Sequence, residues 1–476
     1  MVEESITDIK HLVSSLQEKI QYLESKLAIL EQENSFFRYR LHQMELENSR
    51  LRERLSRYES PKKDSHNSHI PPSKQVLSSG KIQRTKSLRE QSGKSSGGQP
   101  GHPGVSLEFS READKVENYV PNYCPECGED LSTKAALLLE KRWSIDIPPV
   151  TPEIILHQIQ GKQCSCGCMV KAQAPAWVKG FVSYGSNLKA LVSYLNTEQH
   201  IPYKRLCEIL RDVFALSISE GSVHNMLESV TSAAAYMYEQ IRRRITASPV
   251  VGADETGLNI NGKQYWQWSF QTEYLTYVYP DASRGKAAID KHFPNGLPDS
   301  WLVTDRHSSY FNMHVKGHQI CLAHLLRELI YLEELEPKEP WTKAMMTLFR
   351  EAIHKRKTEQ WEKIDRESIL KRFDELLFGC LKYVNKDIEN LKKSLIKHRD
   401  NVFRFLFNPQ IPYDNNASER SIRPMKLKQK VSGAFRSFQG AMTYSVIHSL
   451  ADTARKNNQS PFFALKLIAQ NNGRAG

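Results

Sequence analysis

Two aspartates follow short apolar runs of the kind that form buried strands. Residues 249–253 precede Asp254, and residues 301–304 precede Asp305. Two alternating segments and a helical segment lie between these runs, so the sequence predicts three antiparallel strands, a helix, and a fourth strand beside the first. This order brings Asp254 and Asp305 to adjacent strand ends, where carboxylates repel each other unless a cation such as Mg²⁺ lies between them. Pairs of divalent cations held in this way catalyse phosphoryl transfer.

A third acidic ligand is expected, and two glutamates could supply it. Glu328 lies in a helical segment with several other acids, which is typical of a solvated helix face. Glu419 follows N-capping residues at 414–416, and Arg423 and Lys426 fall on its helix face at i+4 and i+7. A carboxylate beside bases suits a metal ion on one side and a DNA phosphate on the other, so we prefer Glu419. The predicted catalytic residues, which would bind Mg²⁺ or Mn²⁺, are Asp254, Asp305 and Glu419.

These residues require an α/β core that is interrupted in the sequence. Residues 248–330 supply its first part, in the strand order of an RNase H-like core, and residues 409–476 supply closing helices and a basic C-terminal segment. Residues 331–408 are mostly charged helix and are predicted to form a helical insertion between the two parts. The predicted fold class is therefore multidomain α/β.

Two cysteine clusters in residues 118–180 predict a small zinc-binding β module. Cys124-Pro-Glu-Cys127 precedes a glycine, as in a knuckle turn, and Cys164-Ser-Cys166-Gly-Cys168 follows later in the chain. Four thiolates from two such turns form a closed tetrahedral Zn²⁺ site. Two β-rich runs between the clusters, 143–147 and 153–157, are predicted as strands. The predicted zinc ligands are Cys124, Cys127, Cys164 and Cys166, with Cys168 as an alternative to Cys166.

Residues 181–247 are predicted to be helical and are a candidate for DNA binding. An amphipathic helix at 203–214 is followed by a break, and a second helix begins after Ser219 as its N-cap. Two helices about a short turn fit a helix-turn-helix, although ordinary helical hairpins have the same pattern. The residues expected to contact DNA near the start of the second helix are Ser222, His224 and Asn225.

Residues 1–59 carry a heptad repeat that predicts a parallel coiled coil. Apolar residues alternate at steps of three and four from residue 6 to residue 58, with Asn34 and Asn48 in one seam. In a parallel pair, all six facing g and e positions, such as Lys26 and Glu31, are opposite in sign. This complementarity predicts a homodimer through residues 6–58, because a single amphipathic helix has no need of it.

The chain has 476 residues and a formal net charge of +12, which is concentrated in two segments. Residues 60–105 carry a net charge of +6, within a stretch at 60–117 that is rich in Ser, Lys, Gly and Pro and is predicted to be a disordered basic linker. Residues 420–476 carry +9. Localised positive charge favours a nucleic-acid partner. The C-terminal bases expected to contact DNA are Arg423, Lys426, Lys428, Lys430 and Arg436.

The expected location is the cytoplasm. No window of the sequence is long and apolar enough for a membrane span, and the acidic N-terminus lacks the apolar core of a signal peptide. Eight cysteines are too few for a disulfide scaffold in a chain of this length. No membrane partner is therefore expected.

Several motifs together resemble the DDE transposases of the bacterial insertion-sequence-sixty-six family. They comprise the N-terminal zipper, the Gly-rich end of the linker at 97–104, both cysteine knuckles, and the segments 253–256, 304–310, 321–328, 414–420 and 428–437. The resemblance implies that Asp254, Asp305 and Glu419 form a Mg²⁺-binding triad. It also implies that Lys426 contacts DNA ends, and that Cys321 and His324 form a Cys-x2-His element with a structural role.

These features predict a bacterial DNA transposase. It would cleave the terminal inverted repeats of an insertion sequence and join them to target DNA by metal-dependent phosphoryl transfer. Accessory transposition proteins are candidate partners. Two alternatives remain open. One is a dimeric, zinc-dependent DNA-binding regulator without catalysis, and the other is an RNase H-like nuclease that does not transfer strands.

Overall fold

The computed structural model describes residues 2–59, 63, 67, 101, 112–383 and 385–471. Nearly all of the predicted linker at 60–117 lies outside the described residues. The chain divides into two compact units. The first contains Met1–Thr85, Arg327–Met346 and Gly379–Asn390, and the second contains Lys86–Leu326, Thr347–Phe378 and Leu391–Gly476.

The chain is rich in helices. The α-helices are α1 Val2–Glu59, α2 Ser186–Ser193, α3 Tyr203–Phe214, α4 Glu220–Thr246, α5 Lys286–Asp290, α6 Ser308–Phe311, α7 Leu322–Leu335, α8 Pro340–Thr358, α9 Arg366–Phe378, α10 Lys386–Lys397, α11 Asn416–Ser432, α12 Phe438–Lys456 and α13 Pro461–Asn471. A π-helical segment follows α2 at Tyr194–Glu198. The prediction of helix for residues 331–408 agrees with α8 to α10.

A five-stranded mixed sheet forms the centre of the second unit. The strands are β1 Gly161–Gln163, β2 Met169–Lys171, β3 Val250–Ile260, β4 Lys263–Gln271, β5 Thr276–Asp281, β6 Leu297–Thr304 and β7 Val315–Ile320. The order in the large sheet is β5-β4-β3-β6-β7. β3 to β5 are antiparallel neighbours, and β6 pairs parallel with β3. The predicted three-stranded meander, and the fourth strand beside the first, are therefore confirmed.

One face of this sheet is covered by helices through an aromatic core. Phe270 of β4 and Tyr279 of β5 stack with their ring planes 9° apart. Tyr238 of α4 stacks on Tyr277, and its hydroxyl donates to the carbonyl oxygen of Val278 at 2.8 Å. Large buried rings remove much apolar surface from water, so this layer fixes the β3–β5 meander against α4.

The predicted helical segment at 181–247 shares a core with the C-terminal helices. Ser219 caps α4 by accepting a hydrogen bond from the Ser222 N–H at 3.1 Å, as predicted. Leu206 and Leu210 of α3 belong to the same buried cluster as Ile447 of α12 and Leu465 of α13. Helices α3, α12 and α13 therefore share one hydrophobic core.

Residues 118–180 contain less β-structure than predicted. The runs at 143–147 and 153–157 are not strands, and the only strands in this described segment are β1 and β2. These two form a hairpin around the second cysteine cluster, where Gly167 adopts a φ of +87°. A tight turn brings its own two flanks together, whereas the predicted runs lack a neighbouring strand to complete their backbone hydrogen bonds.

The predicted apolar seam of helix α1 is exposed in the single chain. The helix runs without a break from Val2 to Glu59. Side chains of the seam, including Leu23, Leu27 and Leu30, are about half exposed. In the part of the chain that the structure describes, no helix is long and apolar enough to cross a lipid bilayer.

Candidate active site

Asp254 and Asp305 lie at neighbouring positions of two parallel strands, but only Asp305 ends its strand. β3 continues through Asp254 to Ile260, so the prediction that Asp254 ends a strand is wrong. The last register pair of β3 and β6 joins Gly252 to Val303, so Asp254 and Asp305 stand two residues further along on each chain. The Asp254 Oδ1 accepts a hydrogen bond from the Glu255 N–H at 3.0 Å, and the Asp305 Oδ1 accepts one from the His307 N–H at 2.9 Å. The parallel pairing predicted from the sequence is what places the two aspartates together.

Glu419 comes to this site because the first turn of α11 docks on β3. Asn415 precedes the helix, and its Nδ2 donates to the Ala253 carbonyl oxygen at 2.7 Å. Ser418 donates its hydroxyl hydrogen to the Asn415 Oδ1 and accepts a bond from the Gln271 Nε2 at 3.2 Å. These buried polar contacts fix Ser418, which precedes Glu419, and they attach the start of α11 to Ala253, which precedes Asp254.

Burial and neighbouring negative charges raise the pKa of both aspartates. Burial raises the pKa of Asp254 well above its usual range, and the negative charges of Glu255, Asp305 and Glu419 raise it further. Burial and the charge of Glu255 also raise the pKa of Asp305. Neighbouring carboxylates disfavour each other's ionised form, and a divalent cation held between them would offset this effect.

Cys321 and His324 connect this cluster to the start of α7. The buried Cys321 sulfur accepts a hydrogen bond from the Asn415 N–H at 3.1 Å, and the Cys321 N–H donates to the Thr304 carbonyl oxygen at 2.8 Å. Burial raises the pKa of the Cys321 thiol to about 12, so it stays protonated. The His324 Nε2 lies 3.5 Å from the Glu419 Oε1. The two residues thus lie beside the segments that carry Asp305 and Glu419, where a structural role would place them.

Glu255 is a site residue that the sequence analysis missed. Its carboxylate is only 1 % exposed and is bound by Arg284, with Nη2 to Oε1 at 2.8 Å. The Tyr310 hydroxyl donates to the other carboxylate oxygen at 2.5 Å. Of the charged neighbours, Glu255 has the largest effect on the pKa of both Asp254 and Asp305. The available signal was a second acid directly after Asp254, which alternation would have assigned to the opposite face of the sheet.

The donor chemistry of the acidic cluster fits a hard divalent cation. Among the described residues, no group of three or more His, Cys, Asp and Glu side chains is gathered closely enough to hold a metal ion as placed. However, carboxylate oxygens are the ligands that Mg²⁺ and Mn²⁺ prefer, and a cation here would relieve the mutual repulsion that raises the Asp254 pKa. The acidic cluster therefore fits the predicted cation by charge and ligand type.

The cysteine turns have the backbone form of knuckles. The Gly128 N–H donates to the Cys124 carbonyl oxygen at 2.9 Å, and the Gly167 N–H donates to that of Cys164 at 2.8 Å. Backbone N–H groups of residues 126 and 127 lower the pKa of Cys124, and the N–H of Cys168 lowers that of Cys166. A lowered thiol pKa favours the thiolate, which is the form that binds zinc.

The basic residues on and after α11 differ in how far they are exposed to solvent. Lys428 is only 6 % exposed, and its Nζ donates to the Asn196 carbonyl oxygen at 2.9 Å. The prediction that Lys428 contacts DNA does not fit this placement, because its ammonium lies inside the protein and burial lowers its pKa to about 8. Lys426 is half-buried and donates to the Gly257 carbonyl oxygen of β3. Exposed bases remain at Arg423, Lys430 and Arg436.

The residues proposed near the start of α4 include two exposed ones. His224 and Asn225 are exposed, whereas Ser222 is half-buried and its N–H is used by the Ser219 cap. The next residues of α4, including Val223 and Met226, point into the helical core. Of the three residues predicted to contact DNA here, only His224 and Asn225 therefore have exposed side chains.

A buried ion pair links α11 to the neighbouring helices. The Nδ1 of His448 in α12 lies 2.9 Å from Glu198 Oε1, at the end of the π-helical segment, and both side chains are nearly inaccessible. The His448 Nε2 lies 3.1 Å from the carbonyl oxygen of Ser421, two residues after Glu419. Burial alone would raise the pKa of Glu198, but His448 and Arg455 outweigh it and lower the pKa to about 2. Burial lowers the pKa of His448, but the charge and hydrogen bond of Glu198 outweigh burial. The pKa of His448 is therefore raised.

This pair predicts a pH-dependent contribution to stability. The raised His448 pKa means that its contribution is complete below the ordinary value of 6.5 and is lost as pH rises through the folded-state pKa. The lowered Glu198 pKa means that its contribution is complete above 4.5 and is lost as pH falls towards about 2. We expect His448→Gln to cost about 3 kcal/mol of unfolding free energy near neutral pH or below, and less at about pH 9, in denaturant titrations.

A second buried histidine provides the control for this prediction. Burial lowers the pKa of His292 to about 4, so this imidazole is neutral over the same range. The cost of His292→Gln should therefore not fall between about pH 6 and about pH 9. A cost of His448→Gln that is constant over this range would contradict the ion-pair assignment.

Comparison with known proteins identifies the family. The sequence model described as Transposase IS66 family matches residues 182–443, which is more than half of the chain. The matched region begins before α2 and ends within α12, so it contains the whole five-stranded sheet and Asp254, Asp305 and Glu419. No curated protein matches the chain. The chain therefore belongs to the IS66 family of transposases and is a protein that acts on DNA.

Proposed function

We propose that this transposase cleaves DNA at the ends of an insertion sequence and joins the ends to target DNA by DDE-type phosphoryl transfer. The observation that carries the proposal is that the negative charges of Asp305 and Glu419, from separate parts of the sequence, both raise the pKa of Asp254. Asp254 lies within β3, Asp305 follows the parallel strand β6, and Glu419 lies in the first turn of α11. The strand order of the sheet, and a glutamate supplied by the later helix α11, support an RNase H-like catalytic core.

In this proposal the chain positions cations and DNA and forms no covalent intermediate. Asp254, Asp305 and Glu419 would hold the divalent cations. When bound, such ions activate an attacking oxygen and stabilise the leaving oxygen. Asn415 and Ser418 fix the helix turn that carries Glu419, and the exposed Arg423, one helical turn later, would contact the DNA backbone. Phosphate contacts of this kind give binding that weakens steeply with salt.

A cleavage and joining assay tests this proposal against its alternatives. Purified protein is incubated with Mg²⁺, a plasmid target and a labelled duplex carrying the inverted repeat found beside the gene. We expect nicking at the repeat end and covalent joining of that end to the plasmid. Cleavage without joining would instead indicate a nuclease, and binding without cleavage would indicate a regulator.

We also propose that the two cysteine turns bind zinc. The form of both turns supports this, since the Gly128 and Gly167 N–H groups donate to the Cys124 and Cys164 carbonyl oxygens at 2.9 and 2.8 Å, as in a knuckle. Metal analysis of the purified chain is expected to give about one zinc per chain. Zinc below about one tenth of this amount would rule the site out.

The exposed seam of α1 supports a parallel homodimer, and a matched pair of substitutions tests it. Leu27 lies on the seam and Ile29 lies off it, although both are 58 % exposed in the single chain. We expect Leu27→Lys to weaken self-association of the full chain at least about 100-fold in sedimentation velocity, because a charge would be buried in the dimer. Ile29→Lys should leave association unchanged. Equal effects of the two changes, or a monomeric parent chain, would contradict the dimer.

A further inference from the structure

Arg284 is a cation beside the acidic cluster that none of the predicted roles uses. It follows β5 and precedes α5. Its Nε and Nη2 donate to the same oxygen of Glu255, at 2.9 and 2.8 Å. Its positive charge lowers the pKa of Asp305, against the larger effects of burial and Glu255. The guanidinium therefore lies beside the residue that follows Asp254 on β3.

The side chain of Arg284 is held in a fixed orientation. Its guanidinium carbon lies 4.6 Å from the centre of the Trp266 ring, and its backbone carbonyl oxygen accepts a bond from the Ser309 hydroxyl at 3.1 Å. Tyr310 binds the second oxygen of Glu255, so that the carboxylate that anchors Arg284 is itself fixed. An arginine held in this way loses little conformational freedom when it binds a ligand.

The same side chain remains open to a further partner. It is 46 % exposed, whereas its partner Glu255 is 1 % exposed. Glu255 occupies only the Nε and Nη2 donors, and the described residues supply no acceptor for Nη1. A planar guanidinium with a free edge is suited to a phosphate oxygen. The neighbouring carboxylates would repel the phosphates of DNA, so a fixed cation at this rim offsets that repulsion.

From these contacts we infer that Arg284 binds a backbone phosphate of the DNA strand that enters the acidic cluster. This inference rests on the proposed function, since it takes DNA as the substrate of that site. Arg284 binds Glu255 of β3, and α11, which carries the exposed Arg423, docks on the same strand through the Ala253 carbonyl oxygen. Glu255 is a positioning residue in this account, because it acts on DNA only through Arg284.

The competing explanation is that Arg284 merely neutralises the buried Glu255, and a set of variants separates the two. The variants are Arg284→Gln, Glu255→Gln and the double change, with Arg243→Gln as the matched control. Arg243 is also exposed and also pairs with a glutamate, but it lies in the last turn of α4. Each variant of the full chain is titrated with the labelled repeat duplex in Ca²⁺ at several salt concentrations, using fluorescence anisotropy.

A phosphate contact predicts a specific result. Arg284→Gln should raise the Kd about fivefold and reduce the slope of log Kd against log salt by about one, and the double variant should stay equally weak. Arg243→Gln should bind as the parent chain does. Recovery of the parent Kd and slope in the double variant, or an unchanged slope in Arg284→Gln, would overturn the inference. Because binding is measured without cleavage, this outcome is independent of whether the parent chain proves able to cut DNA.

Discussion

Replacing Asp305 with Asn is expected to lower Mg²⁺-dependent cleavage of a repeat end at least about 1000-fold, which corresponds to about 4 kcal/mol of transition-state stabilisation. The amide keeps the shape of the side chain and can still accept the His307 N–H bond, but it removes one of the charges that would hold the cations. DNA binding should change by less than about twofold, because no positive charge is lost. Single-turnover cleavage and anisotropy on the same duplex measure the two effects separately.

Glu328→Gln is the matched control for this result. Glu328 was the alternative third acid, and its substitution removes the same kind of charge from α7. It should retain cleavage to within about threefold, whereas Glu419→Gln should behave like Asp305→Asn. Undiminished cleavage by Asp305→Asn, or a loss in Glu328→Gln instead of Glu419→Gln, would refute the assignment of the triad.

Gly252→Ala is expected to reduce cleavage about 100-fold without touching any acidic residue. A Cβ at Gly252 would lie 2.5 Å from the Gln271 Nε2, 2.6 Å from the Ser418 Oγ and 2.8 Å from the Asn415 Oδ1. All three atoms belong to the buried network that docks α11 on the sheet, so the helix turn that carries Glu419 must move. Displacements of about 1 Å in a catalytic group cost about this much in rate.

A second glycine on the same strand provides the control for this substitution. A Cβ at Gly257 would meet only the Gln264 side chain, whose Nε2 lies 2.8 Å away at an exposed position where it can rotate clear. Gly257→Ala should therefore keep cleavage to within about threefold. If Gly252→Ala cleaves as fast as Gly257→Ala, the close docking of α11 is not what positions Glu419.

The sequence predicted the core of the site because its signals were local to each strand. An apolar run ending in an acid marks both Asp254 and Asp305, and the alternation of β4 and β5 identifies the meander that places β6 beside β3. Glu419 was distinguished from Glu328 by its capping residues and neighbouring bases. The structure brings Glu419 to Asp254, as its effect on the Asp254 pKa indicates.

Other features depended on contacts between distant parts of the chain. Lys428 was predicted to contact DNA from its charge and spacing, but its partner is a carbonyl oxygen at residue 196. Glu255 and Arg284 are 29 residues apart, and nothing in their local sequence indicates that they pair. The apolar runs at 143–147 and 153–157 have strand-like composition, but they lack a neighbouring strand in the described structure. Local composition predicts the type of secondary structure and the charge of a segment. Contacts between distant segments then determine which residue each side chain binds.

The most direct test of this account is whether the three carboxylates bind one divalent site together. Mn²⁺ binding to the full chain can be followed by electron paramagnetic resonance in the parent and in the amide variants Asp254→Asn, Asp305→Asn and Glu419→Gln. We predict saturable binding that each of the three substitutions weakens at least about tenfold and that Glu328→Gln leaves unchanged. Parent-like Mn²⁺ binding in all three amide variants would contradict the central claim that these residues form the catalytic metal site.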